Sequence, residues 1–150
     1  MLDRPGNSDT AILVSLDLGD SGYSESFEEL RQLAASAGVR VLAEIQGRRV
    51  RPDAATFAGS GKVAEAALAL EATGAGIAIF NHDLSPAQQR NLEKRLGCRV
   101  VDRTSLILDI FAQRARSFEG KLQVELAQLQ HLASRLVRGW THLERHKGCI

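Results

Sequence analysis

Arg135, Arg138, Trp140, His142, Arg145, His146 and Lys147 crowd the end of this chain, opposed between positions 135 and 147 only by Glu144. Cationic side chains contact phosphate, and an indole can stack on a base, so a run of this composition suits RNA. Gly139 and Thr141 lie within the same run and would share its backbone path. The plain alternative is a solvated terminus whose Trp140 packs back onto the body. His142, His146 and Cys149 stand at i, i+4 and i+7, a spacing that on a helix could ligate zinc. A structural zinc site takes four ligands, however, and Gly139 and Gly148 work against a rigid helix there.

A second candidate is the glycine-rich stretch TFAGSGKVAE. Gly59, Ser60, Gly61 and Lys62 combine backbone amides near a helix start with an ammonium, which can attract an anion. The phosphate-binding motif GxxxxGK[ST] is not met, because Thr56 stands at its first glycine and Val63 at its magnesium-binding hydroxyl. The alternative is a turn in which Ser60 caps the helix that follows. Asp83 and Asp102 follow apolar strands, at the sheet edge where open α/β folds place ligands, but loop and capping duties account for them equally. Ser15 lies within a strand, Ser85 reads as a cap and Cys98 begins a strand. No acid–base pair stands out.

The elements that must carry these residues alternate. Ala11–Leu18 reads as a strand, Ser26–Ala37 as a helix opened by a Ser26/Glu29 capping box and stopped at Gly38, and Val39–Ile45 as a second strand. A basic connection, GRRVRPDAATFAGSG, with room for a short edge strand, leads to an alanine-rich helix over Lys62–Thr73. Gly76–Phe80 is short and wholly apolar, as a strand buried on both faces should be. Ser85–Leu96 has a serine cap, Pro86 in the first turn, Gln88 to complete the box and Gly97 to end it. Arg99–Val101 and then Thr104–Ala115 follow, the latter with Leu106, Ile107, Ile110 and Phe111 inward. From Ser117 to Val137 a long helix carries Leu122, Leu126, Leu129, Ala133 and Leu136 at the 4-3 spacing of a coiled-coil seam. The expected fold is therefore α/β: a mainly parallel four-stranded sheet with helices on both faces, followed by a long C-terminal helix. Residues 1–115 would form the α/β domain, 116–138 the seam helix and 139–150 a basic tail.

The 150 residues are 44% hydrophobic and 25% charged, values that exclude wholesale disorder. The net charge of +1 conceals a division. Residues 1–89 carry 7 basic and 12 acidic side chains, a net −5, and residues 90–150 carry 12 and 6, a net +6. That polarity points the C-terminal half toward an anionic partner. Two distant cysteines imply no disulfide framework, and no apolar run reaches membrane-spanning length, so a soluble, cytoplasmic protein is expected.

Three segments together, FAGSGKVAE, the run from Leu84 to Leu132, and RLVRGWTHLERHKG, resemble the N-terminal part of the HflX family of ribosome-associated GTPases. The resemblance covers nearly the whole chain and is weakest before residue 40. It implies an α/β domain, then two long antiparallel helices whose connecting loop reaches into the large ribosomal subunit, then a separate GTP-binding domain. It also implies GTP-dependent ribosome binding and dissociation under stress. Arg138 to Lys147 match the start of that loop, so Arg135, Arg138, Gly139, Trp140, Thr141, His142, Arg145 and Lys147 are the expected contacts with ribosomal RNA. The second helix and the GTP-binding domain are not among these residues. GTP and magnesium therefore belong to the missing domain, and no cofactor, catalytic residue or metal ligand is expected in this chain, which as written should not hydrolyse GTP. Two other readings stand beside this one: a free-standing nucleotide- or anion-binding α/β module using Gly59–Lys62, and a truncated fragment without function.

Overall fold

A computed structural model describes residues 9–116 and 127–134. The order of elements is β1 (Thr10–Asp17), α1 (Tyr23–Ser36), β2 (Arg40–Arg48), α2 (Ser60–Thr73), β3 (Ile77–Phe80), α3 (Pro86–Leu96), β4 (Arg99–Asp102) and α4 (Arg103–Arg116). All strand pairs are parallel, in the spatial order β2-β1-β3-β4. The expected α/β fold with a parallel four-stranded sheet is the observed one. The chain divides after Leu106 into two units, the first containing the sheet and α1 to α3.

Strand β1 is central, and this explains its sequence. It pairs with β2 on one side and β3 on the other, and Ala11 to Leu16 are all buried. A strand covered on both faces reads as a continuous apolar run. Alternate residues Ile12, Val14 and Leu16 join Ile45, Ala78, Phe80 and Val100 in one core layer with Val63, Ala66 and Leu70 of α2 and Leu92 of α3. Helix α1 buries Phe27, Leu30, Leu33 and Ala34 and belongs to none of that layer. The β1–β2 step runs one way along the sheet and the later steps the other. Right-handed crossovers must then place α1 on the face opposite α2 and α3.

Helix α3 matches its sequence signals. Ser85 Oγ accepts from Gln88 N at 3.1 Å, Gln88 Oε1 accepts from Ser85 N at 3.0 Å, and Pro86 sits in the first turn. Gly97 closes the helix at φ 69°, a left-handed conformation that costs other residues a steric clash.

Four local expectations are corrected. Helix α1 begins at Tyr23, with Gly22 as its N-cap and no side-chain cap. Ser26 and Glu29 form no capping box, because their side chains turn to partners far along the chain. Helix α2 begins at Ser60 with Gly59 as N-cap, again without a side-chain cap, so Ser60 is not the capping residue. The basic connection holds no edge strand but a tight loop closed by an antiparallel bridge between Asp53 and Phe57. Asp53 Oδ1 accepts from Ala55 N at 2.8 Å and Thr56 N at 3.1 Å, and these amides hold its carboxyl below the ordinary value. Strand β2 continues to Arg48 rather than ending at Ile45.

In the second unit, residues 127–134 are helical. Leu129 is buried there while residues 127, 128, 130 and 131 are exposed, a one-sided pattern consistent with a seam position. Leu122, Leu126 and Leu136 of the expected seam lie outside the described residues. No helix among the described residues is long and apolar enough to cross a membrane.

The α3 cap yields a direct test. Ser85→Ala is expected to lower the stability of the chain by about 1 kcal/mol, since it removes one arm of a reciprocal cap. Urea unfolding should show a lowered midpoint with an unchanged slope.

Candidate functional site

Reversal of strand order between β1 and β3 opens a crevice beyond their carboxyl ends, the position where open α/β sheets hold ligands. A cleft of about 240 Å³ lies there, walled by Leu16, Asp17, Tyr23, Ser26, Asn81 and His82 among others. Its geometry follows from a difference in strand length. The β1–β3 pairing ends at Val14 and Phe80, and Asn81 N donates to Val14 O at 2.9 Å. Strand β1 runs on, so the next inward amide, Leu16 N–H, has no strand to meet. It donates instead to His82 Nε2 at 2.9 Å. The imidazole thus continues the ladder as a side-chain acceptor, which requires it to be neutral. Burial holds its pKa down to about 4, with the positive charge of Arg103 adding to the effect. The ring stacks on Phe57, centroids 4.6 Å apart. Phe57 adopts φ 66°, a left-handed conformation rare outside glycine. The loop around it is pinned to α3 by Gln88 Nε2 on Asp53 O and Asn91 Nδ2 on Ala55 O, each at 2.9 Å.

Beneath the cleft lies a buried polar network. Asn81 Nδ2 donates to Ser15 Oγ at 3.1 Å and to Ser26 Oγ at 3.0 Å, while its Oδ1 accepts from Arg103 Nη1 at 2.7 Å. Arg103 Nη1 also reaches Ser26 O at 3.1 Å, and Nη2 pairs with Glu29 Oε1 at 2.6 Å. One guanidinium, 7% exposed, therefore joins the exit of β3, the exit of β4 and the first turns of α1. Asp102 caps α4 through Oδ1 on Ser105 N at 2.9 Å, and its Oδ2 accepts from Leu84 N at 3.0 Å. Asp83 Oδ1 accepts from Thr104 Oγ1 at 2.6 Å. Asp83 and Asp102 thus do loop and capping work.

Sequence reasoning passed over Arg103, Asn81 and His82, though one signal was present. A cation in the first turn of a helix opposes the helix dipole, so Arg103 must gain its stabilisation elsewhere. The Ser26/Glu29 pattern serves Asn81 and Arg103 rather than a helix start.

The Gly59–Lys62 turn presents its lysine already engaged. Lys62 Nζ donates to Gln46 O and pairs with Glu65 Oε1, both at 2.8 Å. Gly59 is buried at φ 82°, with Arg49 Nη1 filling the space a Cβ would need. Val63, at the position a phosphate-binding motif gives to a hydroxyl, is in the core. Cys98 is a half-buried thiol pushed up to about 11 by burial, which keeps it protonated. Arg135, Arg138, Gly139, Trp140, Thr141, His142, Arg145 and Lys147 lie outside the described residues, as do His146 and Cys149.

With this architecture in view, comparison places the chain in a class and then in a family. The family described as GTP-binding GTPase N-terminal matches residues 24–112, and the one described as GTP-binding GTPase Middle Region matches residues 114–150. The GTPase HflX of Escherichia coli (strain K12) is 57% identical over 150 residues, covering 100% of this chain and 35% of that protein. The GTPase HflX of Magnetococcus marinus is 52% identical over 153 residues, again covering 100% of this chain and 35% of the relative. The chain belongs to the HflX family of GTPases, as its N-terminal domain. It spans about a third of the length of these relatives. A crystal structure of SsGBP in complex with GDP has the same fold, with a TM-score of 0.59 at 20% identity over 95% of this chain and 46% of that one.

Two measurements test the network. Arg103→Ala is expected to destabilise the chain by about 3 kcal/mol, because Asn81 and Glu29 lose their partner in a buried setting. Arg103→Lys should recover little of that loss, since a single nitrogen cannot reproduce the planar reach of Nη1 and Nη2 to acceptors on separate elements. Both values come from urea unfolding. The second test concerns pH. His82 has a folded pKa below its unfolded value, so its contribution is complete above about 6.5 and is lost as pH falls toward about 4. Over that window the parent chain should lose about 3 kcal/mol more stability than His82→Gln, which keeps an acceptor without a titrating ring.

Proposed function

We propose that this chain is the ribosome-contacting and regulatory N-terminal module of an HflX-type GTPase, working on the large ribosomal subunit. The observation that carries the reading is the continuous match of residues 114–150 to the middle region of GTP-binding GTPases, directly after the α/β domain. In this reading the stretch from Arg135 to Lys147 meets ribosomal RNA. The charge division supports it, since the positive excess falls in residues 90–150. The α/β domain serves as a scaffold: the polar groups under its cleft bond to one another rather than being offered to a ligand. GTP and magnesium belong, in this proposal, to the remaining two thirds of the relatives' length. The parent protein then uses GTP to govern binding to and dissociation of ribosomes under stress, in the cytoplasm. A nucleotide role for Gly59–Lys62 is disfavoured, because Lys62 is held by Gln46 and Glu65 and the hydroxyl position is a core valine.

Pelleting with purified large ribosomal subunits at two salt concentrations tests the tail. Trp140→Ala should weaken binding by about tenfold, the loss of one stacked base. Arg138→Ala/Arg145→Ala should weaken it and flatten its dependence on salt. Equal binding by all three proteins, insensitive to salt, would remove the tail as the contact surface.

A further inference from the structure

The glycine-rich segment Gly59–Lys62 meets the end of β2 in a reciprocal fit. Lys62 leaves the first turn of α2 and crosses β2 at Gly47, where its Cε would stand 2.6 Å from any Cβ. Arg49 crosses in the other direction to Gly59, where its Nη1 takes the space of a Cβ. Gly47 has no positive φ, so a side chain there would take away room for Lys62 rather than backbone freedom. Each element thus supplies one glycine and one cation, and each cation lies on the other element's glycine.

This fit falls on the outer edge of the sheet. Strand β2 pairs with β1 alone, and its nine residues make it the longest strand among the described residues. Arg49 N donates to Asp17 O at 3.1 Å. Backbone direction alternates along a strand, so the polar groups of Glu44, Gln46 and Arg48 face away from β1. A row of that kind is a template for another extended chain. Lys62 Nζ donates to Gln46 O, within that row, and is held there by Glu65 Oε1, both at 2.8 Å. The opposite edge is closed in the same manner by α3. At β4, Gln89 Nε2 donates to Val100 O at 2.9 Å, and Val100 N donates to Glu93 Oε2 at 3.1 Å.

We infer that Gly47, Arg49, Gly59 and Lys62 form a clasp that closes the outer edge of β2 against strand addition, and that the strand it excludes is β2 of a second copy. The edge itself selects that strand. An antiparallel two-fold pairing that sets Gln46 against Gln46 of a second copy also sets Glu44 against Arg48 and Arg48 against Glu44, so opposite charges meet on both sides of the axis. Gln46 O is at the centre of that register, and the Lys62 ammonium on it denies each copy its central bond. The inference goes beyond the ribosomal reading and does not rest on it. It gives the segment FAGSGKVAE a task other than holding a nucleotide.

Sedimentation velocity of the full chain across about a hundredfold range of concentration tests the clasp. Lys62→Met keeps a stem over Gly47 and removes the donor, whereas Gly47→Ala keeps the donor and takes its path. Each should raise the self-association constant about tenfold over the parent, whatever association the parent shows through other surfaces. Adding Arg48→Pro, whose missing N–H faces outward and takes no bond from β1, should return either variant to the parent's behaviour. Hydrogen exchange supplies a second readout: the Glu44 and Gln46 amides, which face away from β1, should slow as the variants are concentrated. Circular dichroism checks that each variant is folded. Parent-like sedimentation by both variants would overturn the inference. So would added association that Arg48→Pro leaves in place, or that leaves the two amides exchanging as before.

Discussion

A guanidinium withdrawn from water needs acceptors, and the acceptors must come to it. Arg103 is the first residue of α4, buried directly beyond the end of β4, and its Nη atoms bond to Asn81, to the carbonyl of Ser26 and to Glu29. The penalty for leaving such a charge uncompensated exceeds that for almost any other local rearrangement in a domain of this size. Helix α1 must therefore present both Ser26 O and Glu29 on the side toward Arg103. It does so by starting at Tyr23, so that Ser26 and Glu29 fall one turn apart within the helix. Asn81 is fixed in turn: its carbonyl faces the guanidinium and its amide faces Ser15 and Ser26, which leaves that side chain no alternative orientation.

The same requirement shapes the crevice at the strand-order reversal. In many open α/β sheets that position receives a ligand, with polar side chains converging on empty space. Here Ser15, Ser26, Asn81 and Arg103 converge on one another, and His82 turns back to satisfy the last unpaired amide of β1. Protonating His82 would remove an acceptor from Leu16 N–H and set a second cation beside Arg103. Burial and charge therefore act in the same direction to keep the ring neutral. A rigid support for the elements around it is what this chemistry provides, in keeping with a domain that forms the front third of HflX GTPases.

Outside that centre the charges are arranged differently. Arg31 pairs with Glu28 and Glu44, both at 2.7 Å, and its guanidinium covers the Phe27 ring, so the flank of α1 and β2 is internally matched. At the end of β2 the matching is looser: Arg48 is exposed and reaches Asp17 only at 3.8 Å, Arg51 is exposed, and Arg49 donates to the Arg51 carbonyl. Pairing and exposure, rather than the number of cations, distinguish Lys62, which is occupied, from Arg51.

The sequence by itself determined the parallel α/β fold, because that depends on short-range patterns. The apolar run of β1 and β3, the Ser85–Gln88 box, and the glycines at 38 and 97 each express a local preference that tertiary packing left in place. The family was legible for a similar reason, since long stretches of residues carried it. What only the tertiary structure decided was the destination of side chains able to bond either locally or at a distance. Ser26 and Glu29 suit a cap, and Ser60 suits one as well; each could have accepted from a backbone N–H at a helix start. Asn81, 55 residues from Ser26, and the buried guanidinium of Arg103, 74 residues from Glu29, took those side chains away from the cap at α1. At α2, Gly59 took the capping position in a left-handed backbone, and Arg49 occupied the space beside it. A local pattern shows which bonds a residue is able to make. Desolvation, which depends on the whole fold, sets which of them it does make.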